Sequence, residues 1–223
     1  DPAFVLNSDA GGTALDDEFK PLAMRVQAAE KTFATFELTV TNPGGHSSRP
    51  RSDNAIYELS AALLKLADHK FAVHATPLPR SYFAALGQSV PGELGDAMRA
   101  FAENPEDPAA VATLQSNPET VGTLGTTCVA TMLRAGHAEN ALPQSATATV
   151  NCRIFPGIGV EKTQAELARV IDNDNVSFKL MAEVTESPVS ALRDDVRAAV
   201  AKSLAARYGK DIPIIPYMES GGT

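Results

Sequence analysis

Alternating apolar and polar residues mark the strands of this chain. In the segment 145–155 the two faces separate cleanly, with Ala146, Ala148, Val150, Cys152 and Ile154 on one face and Thr147, Thr149, Asn151 and Arg153 on the other. The segment 32–41 alternates in the same way. A period of two residues is typical of a strand with one buried face. The segments 126–135 and 176–184 complete a set of four predicted strands.

Apolar residues spaced three and four apart predict the helices. The segment 52–68 has Ile56, Leu59, Leu63 and Leu66 at that spacing. Ser52 is its predicted N-cap, since a serine hydroxyl can accept from a free amide of the first turn. A second helix is predicted over 161–173. A third is predicted over 190–209, with an apolar stripe of Leu192, Val196, Val200, Leu204 and Tyr208 and an end at Gly209.

The order strand, helix, strand, strand, helix, strand predicts a mixed α/β (α+β) fold with a ferredoxin-like split βαβ domain over residues 22–187. Prolines recur between short amphipathic pieces in 75–125, which predicts a helical insertion into that domain. The flanks 1–21 and 188–223 differ in kind. The apolar run at 4–6 and the long helix after 190 indicate fragments of a second, α/β domain.

Composition narrows the classes of function. The hydrophobic fraction of 44% and the net charge of −8 are those of an ordinary globular protein, and no run of 18 apolar residues occurs. We therefore expect a soluble protein without a membrane span. An acidic chain lacks the basic face that nucleic-acid binding requires, so no nucleic-acid partner is expected. The sequence predicts no particular cellular compartment.

The two cysteines, Cys128 and Cys152, each lie in a predicted strand. Their separation fits no zinc-ribbon spacing. Two buried free thiols are the default expectation. A disulfide between neighbouring strands is the alternative that the sequence leaves open.

Two turns near the start of the chain carry candidate catalytic or metal-binding residues. Asp9 follows a short apolar run and precedes two glycines, a position where α/β proteins bind ligands and where a carboxylate suits a metal ion. His46 follows Gly44 and Gly45 and precedes two serines. An imidazole in that setting can donate to a developing negative charge. Each has a plainer alternative, a strand-end aspartate or a solvated turn histidine.

Later in the chain, three further positions are candidates. Asn140 lies in a turn between two strands, where its amide can orient a carbonyl. Arg153 ends a strand on its polar face, where a guanidinium can bind a carboxylate through two parallel hydrogen bonds, although a surface ion pair is the commoner role of arginine. Gly221 and Gly222 have amides that could hold an anion or a substrate backbone.

Six motifs in a fixed order resemble the aminoacylase and carboxypeptidase G family of two-zinc metallopeptidases, and most closely its carboxypeptidase S-like branch. In chain order they are the strand-end Asp9, GGHSSRP at 44–50, TTCVATML at 126–133, ENALP at 139–143, NCRIFPG at 151–157 and SGGT at 220–223. The resemblance therefore covers nearly the whole chain.

The resemblance implies a role for each candidate. Asp9 matches the family's terminal zinc ligand, and His46 matches a lid-domain histidine that stabilises the oxyanion in the partner subunit's active site. Asn140 matches a residue that holds the scissile carbonyl, and Arg153 matches the residue that binds the substrate's free carboxylate. The glycine loop beside the substrate corresponds to Gly221 and Gly222. Residues 22–187 then correspond to the lid, or dimerisation, domain, and both flanks to the catalytic domain.

The expected function is accordingly that of part of a zinc-dependent amidohydrolase or peptidase. Its substrate would be a small peptide or an N-acyl amino acid, cleaved beside a free carboxylate by a homodimer with two zinc ions per full-length subunit. The family's other metal ligands and its glutamate base have no match in the 223 residues, so we expect a truncated, inactive chain that binds no zinc stably. The alternatives are a non-catalytic dimerisation or small-ligand-binding domain, and an inactive family member.

Overall fold

The computed structural model describes residues 12–15, 17–186, 188–190, 193–209 and 212–220. In chain order the elements are β1 Gly12–Leu15, β2 Pro21–Glu30, β3 Thr32–Thr41, β4 Gly45–His46, α1 Ala55–Asp68, α2 Pro77–Leu86, α3 Gly92–Glu103, α4 Pro108–Ser116, α5 Pro118–Leu124, β5 Thr127–Ala135, β6 Ala141–Leu142, β7 Ser145–Ile154, α6 Val160–Ile171, β8 Val176–Leu180, α7 Asp194–Tyr208 and β9 Ile214–Glu219. They form two compact units. The first contains the described parts of Asp1–Lys31, Val73–Gly125 and Ser187–Thr223, and the second contains Thr32–Ala72 and Thr126–Glu186.

The second unit is the predicted ferredoxin-like domain, and the prediction of its fold is confirmed. Four of its strands form one antiparallel sheet in the order β5-β7-β3-β8. Side chains from one face of β3 and β7 form a single core with the inward residues of α1 and α6, among them Phe36, Leu38, Leu59, Val150 and Leu167. The opposite face of the sheet carries the residues that alternate with the core, which are mostly polar on β3 and β7 but include Phe33.

Burial follows the sequence pattern on the central strands and departs from it at the edge. Residues of β7 alternate between buried and half-buried along the strand, as the sequence predicts. Among the described residues β5 pairs with β7 alone, and from Val129 onward every residue of β5 is exposed. The last predicted strand is shorter than expected, because pairing with β3 ends at Leu180.

Helix α1 begins at Ala55, two residues later than a helix capped by Ser52 would begin. Asn54, rather than Ser52, is the N-cap, because the Oδ1 atom of Asn54 accepts from the amides of Ile56 at 2.9 Å and Tyr57 at 3.4 Å. The prediction of Ser52 as the cap is therefore wrong. The helix itself and its apolar stripe agree with the sequence.

Cys128 and Cys152 are joined by a disulfide. The two residues lie directly opposite each other on β5 and β7, so the bond links neighbouring strands of the sheet. The default expectation of two free thiols is wrong, and the alternative that the sequence left open is correct.

The described parts of the first unit form a small mixed sheet and five helices. Its strand order is β1-β2-β9, with β2 and β9 parallel and β1 antiparallel to β2. Helices α2 to α5 fill the predicted insertion and share a second apolar core around Phe83, Met98, Phe101 and Leu114. Helix α7 ends at Gly209 in the left-handed conformation, as predicted.

The two units do not coincide with the domain ranges expected from the sequence. Helices α2 to α5 group with the strands β1, β2 and β9, whereas the sequence assigned them to the range 22–187. Those ranges stay a prediction. No helix in the described parts of the chain is both long and apolar enough to cross a membrane.

Candidate functional site

A two-stranded ribbon holds two of the predicted site residues close together. Strands β4 and β6 pair antiparallel, with Gly45 opposite Leu142 and His46 opposite Ala141. The amide of Ser47 donates to the carbonyl oxygen of Asn140 at 2.9 Å. His46 and Asn140 are thus neighbours across the ribbon, although 93 residues of sequence separate them, and both are exposed.

This ribbon continues the ladder of the main sheet. On β3 and β7 the last pair is Thr41 with Ser145, and the amide of Asn42 donates to the carbonyl oxygen of Gln144 at 2.8 Å. Pairing resumes at Gly45 and Leu142, with one extra residue on the side of β3. The ribbon therefore projects beyond the end of the sheet at which β3 finishes and β7 begins.

Two glycines make the extra residue possible. Gly44 has φ +77° and Gly45 has φ +151°, both in the region that residues with a Cβ avoid. A Cβ added at Gly44 would also lie 2.7 Å from Cγ of Gln144 and 3.3 Å from the carbonyl oxygen of Leu142. The glycines before His46 are therefore a requirement of the backbone.

Ser48 sets the orientation and the tautomer of the His46 ring. The Nδ1 atom of His46 lies 3.2 Å from the amide nitrogen of Ser48, which donates to it, and 2.9 Å from the Ser48 hydroxyl oxygen. A backbone N–H can only donate, so Nδ1 is the acceptor and the neutral ring carries its proton on Nε2. The Nε2–H group can then donate a hydrogen bond to an incoming ligand. Ser48 is not among the site residues predicted from the sequence, although a polar residue two positions after a turn histidine is a signal for this contact.

Asn42 closes the loop that carries His46. Its Nδ2 atom donates to the carbonyl oxygen of Asp53 at 2.6 Å, and its Oδ1 atom accepts from the amide of Gly44 at 3.0 Å. Near the other end of the loop, Arg51 donates two hydrogen bonds to the Asp53 carboxylate, at 2.8 and 2.6 Å. Those hydrogen bonds from Arg51 lower the pKa of Asp53 to about 2. Asn42 is not among the site residues predicted from the sequence, although its position before Pro-Gly is typical of a side chain that bonds its own turn.

Arg153 lies near the other end of β7. Its guanidinium carbon is 4.6 Å from the centre of the Phe33 ring, and Phe33 is the residue opposite it on β3. Arg153 is half-buried on the face of the sheet that the helices leave uncovered. Eight residue steps of about 3.4 Å separate it from Ser145, so roughly 27 Å of strand lies between Arg153 and the end that leads to His46.

The remaining predicted site residues, Asp9, Gly221 and Gly222, lie outside the described residues. Among the residues that the structure describes, no group of three or more histidine, cysteine, aspartate or glutamate side chains could hold a metal ion. The described chain therefore offers His46 and Asn140 on a projecting ribbon, and Arg153 on the sheet, as its candidate functional groups.

Comparison with known proteins connects this arrangement to one family. Residues 28–179 match the model of the peptidase dimerisation domain of M20 peptidases. The chain is 29% identical over 202 residues to the N-fatty-acyl-amino acid synthase/hydrolase PM20D1 of Homo sapiens. This match covers 86% of this chain and 38% of that protein. The chain is also 32% identical over 181 residues to the probable carboxypeptidase S-like 2 of Dictyostelium discoideum. That match covers 77% of this chain and 33% of that protein. The chain thus spans about two fifths or less of the length of these relatives.

Two solved structures share its fold. One is the M20 family metallo-carboxypeptidase Sso-CP2 from Sulfolobus solfataricus, with a TM-score of 0.54 and 17% identity over 95% of this chain and 50% of that one. The other is the dipeptidase Dug1p from Saccharomyces cerevisiae, with a TM-score of 0.56 and 16% identity over 97% of this chain and 47% of that one. At these identities the likeness concerns the fold alone.

Proposed function

The chain belongs to the M20 peptidase family through its dimerisation domain, and on that premise we propose that it is part of a metal-dependent hydrolase that cleaves a peptide or N-acyl amino acid beside a free carboxylate. Its curated relatives are named as an N-fatty-acyl-amino acid synthase/hydrolase and a carboxypeptidase S-like protein, which supports this substrate class. Because the chain covers only part of their length, the proposed activity is that of the whole enzyme that carries it.

His46 is the proposed donor to the oxyanion. When a nucleophile adds to an amide carbonyl, the oxygen gains negative charge, and a donor already aimed at it lowers the barrier. The contact of Ser48 with Nδ1 leaves the proton on Nε2 and holds the ring without competing for that proton. Asn140, its neighbour across the ribbon, is exposed and can hold the same carbonyl through its side-chain amide.

Arg153 is the proposed site for the substrate carboxylate. A guanidinium offers two parallel N–H donors that match the two oxygens of a carboxylate. Phe33 lies against the guanidinium and limits its freedom. An arginine that is half-buried on a sheet is a more selective anion site than one on a flexible loop, because its donors are oriented in advance.

The separation of these groups is the observation that carries the proposal. In an N-acyl amino acid the scissile carbonyl carbon and the carboxylate carbon are three bonds apart, which is less than about 4 Å. Within one chain His46 and Arg153 are separated by roughly 27 Å of strand. One substrate cannot reach both from the same subunit, so the enzyme needs His46 and Asn140 from one subunit and Arg153 from the other.

A homodimer through the lid domain meets that requirement. Strand β5 lies at the edge of the sheet as the described residues form it, and Val129 on it is 62% exposed. On α1, Tyr57 and Leu64 are both 68% exposed and lie seven residues apart, hence on one side of the helix. An apolar sheet edge beside an apolar helix face is a surface that a second copy can cover about a two-fold axis.

Two zinc ions are the proposed cofactors of the whole enzyme, with Asp9 as one ligand. When bound, such ions polarise the scissile carbonyl and activate the attacking water. Asp9 lies outside the residues that the structure describes, and those residues contain no group of three or more side chains that could hold a metal ion. The residues described above bind the carboxylate, hold the carbonyl and donate to its oxygen.

Complementation between two inactive variants of the whole enzyme tests the proposal. His46→Ala and Arg153→Ala are each expected to lose most activity towards an N-acyl amino acid. In a dimer that contains one copy of each, one of the two active sites has both residues intact. Random mixing of equal amounts should therefore restore about a quarter of the wild-type activity per subunit. If both residues served one site from the same subunit, mixing would restore nothing, and the proposal would be wrong.

A further inference from the structure

The face of the four-stranded sheet that the helices leave uncovered carries a groove. On β3 the residues that alternate with the core, including Phe33, Thr35 and Glu37, line its floor. Met132 and Leu133 of β5 form one side, and the segment after β8 forms the other. The groove has a volume of about 420 Å³, within the range of small-molecule binding sites.

Apolar side chains are concentrated along this groove. Phe33 is 51% exposed, Met132 50% and Met181 47%. Single exposed apolar residues are common on protein surfaces, but a group of large ones around one concavity usually marks a binding surface. The wall at Met181 is tied to the floor, because its amide donates to the carbonyl oxygen of Thr35 at 2.9 Å. The groove is therefore a fixed feature of the sheet.

Charged residues are distributed unevenly along the groove, so its two ends are not equivalent for a ligand. At one end Phe33, part of its lining, lies against the Arg153 guanidinium. That group has five N–H donors, so a carboxylate can bind to it alongside its other contacts. Glu37 and Glu183 line the groove further along, where their negative charge disfavours a ligand carboxylate. Arg134, opposite Thr147, lines the other end, about 20 Å of strand away from Arg153.

We infer that this groove is the subsite for a long apolar chain attached close to the substrate's carboxylate, as in a long-chain N-acyl amino acid. The inference rests on the proposed role of Arg153 as the carboxylate site and adds the chemical class of the group beside it. The carboxylate binds at Arg153, and the chain runs over Phe33 between Met132 and Met181. Met132 and Met181 are the residues that determine the preference for chain length, and unbranched methionine side chains suit a flexible ligand.

Binding of an N-acylglycine series to the 223-residue protein tests this inference directly. The ligands are N-acetyl-, N-octanoyl- and N-dodecanoylglycine, used as monomers and followed by calorimetry or, for the acetyl compound, by NMR shifts. Each methylene that leaves water should strengthen binding by up to about fourfold. Because the groove is open on one side, we expect a gain of at least tenfold from octanoyl to dodecanoyl.

Variants separate the groove from the carboxylate site. Met132→Glu and Met181→Glu should each weaken dodecanoylglycine binding at least tenfold and leave acetylglycine binding unchanged. Leu22→Glu, at a residue that is 50% exposed and outside the groove, is the matched control and should change neither. Unfolding temperatures establish that each variant is folded, and Met132→Gln replaces the glutamate variant if that one is unstable.

Arg153→Ala should weaken every ligand of the series, whereas Arg134→Ala should weaken none. Affinity that does not depend on chain length, or that survives both methionine variants, overturns the groove assignment while the role of Arg153 stands. Loss of binding in Arg134→Ala rather than Arg153→Ala overturns the direction proposed here. If Arg153→Ala leaves acetylglycine binding unchanged, the proposed carboxylate site is wrong, and the inference fails with it.

Discussion

Reduction of the Cys128–Cys152 disulfide should markedly destabilise the ferredoxin-like unit. The bond closes a loop with a sequence separation of 24 residues. Cross-linking a loop of about 25 residues removes unfolded-state entropy worth about 3.5 kcal/mol at 25 °C. With a urea dependence of about 1.5 kcal/mol per molar for a unit of this size, the unfolding midpoint should fall by roughly 2 M.

Urea unfolding followed by circular dichroism, with and without reductant, measures this shift, since the chain has no tryptophan. The variant with Cys128→Ala and Cys152→Ala is the control, and its midpoint should be the same in both conditions. Counting thiols in the denatured, unreduced protein gives an independent check with an expected value of zero. Two reactive thiols, or a wild-type midpoint that reduction leaves unchanged, would refute the cross-link and the magnitude derived from it.

Two further changes probe the loop that carries the ribbon histidine. Gly44→Ala should destabilise the unit by about 1–3 kcal/mol, because its φ is positive and its Cβ would press on Gln144. Gly136→Ala is the control for the positive φ alone, because Gly136 has φ +70° and nothing lies within 4 Å of an added Cβ. In thermal unfolding it should lose less stability than Gly44→Ala. Equal losses of stability would mean that the contact with Gln144 contributes nothing. The Asp53 carboxylate, with its pKa near 2, stays paired with Arg51 above pH 4 and loses the interaction as pH falls through about 2. An NMR titration should find this midpoint and an upward shift in Arg51→Gln or at high salt, and no shift in Arg51→Gln would contradict the ion pair.

Strands β3 and β7, each with one buried face, were predictable from the sequence, and strand β2 was not. The alternation in β3 and β7 records a core on one side and water on the other, so the prediction of both strands is accurate. Strand β2 shows no such pattern, since its burial is irregular and its pairing with β9 shifts register between Gln27 and Ala29. The sequence pattern therefore gave no sign of a ten-residue strand there.

Local competition explains the error at the start of α1. Ser52, Asp53 and Asn54 are consecutive, and all three are good N-cap residues. Asp53 is bonded to Arg51, and its carbonyl oxygen accepts from Asn42. Those contacts leave Asn54 to cap the helix. A choice among equally suitable neighbours depends on partners that are distant in the chain, which a local pattern does not contain.

For the candidate site too, local sequence predicts which residues are involved, and the long-range pairing of strands decides which of them lie together. Residue type and turn context were enough to nominate His46, Asn140 and Arg153 as separate candidates. Their grouping follows from the ladder between β3 and β7, which brings His46 beside Asn140 and leaves Arg153 at the far end. A shift of one residue in that ladder would turn each side chain to the opposite face. The extra residue that Gly44 and Gly45 allow therefore decides which way His46 points, and the glycines belong to the site as much as the imidazole does.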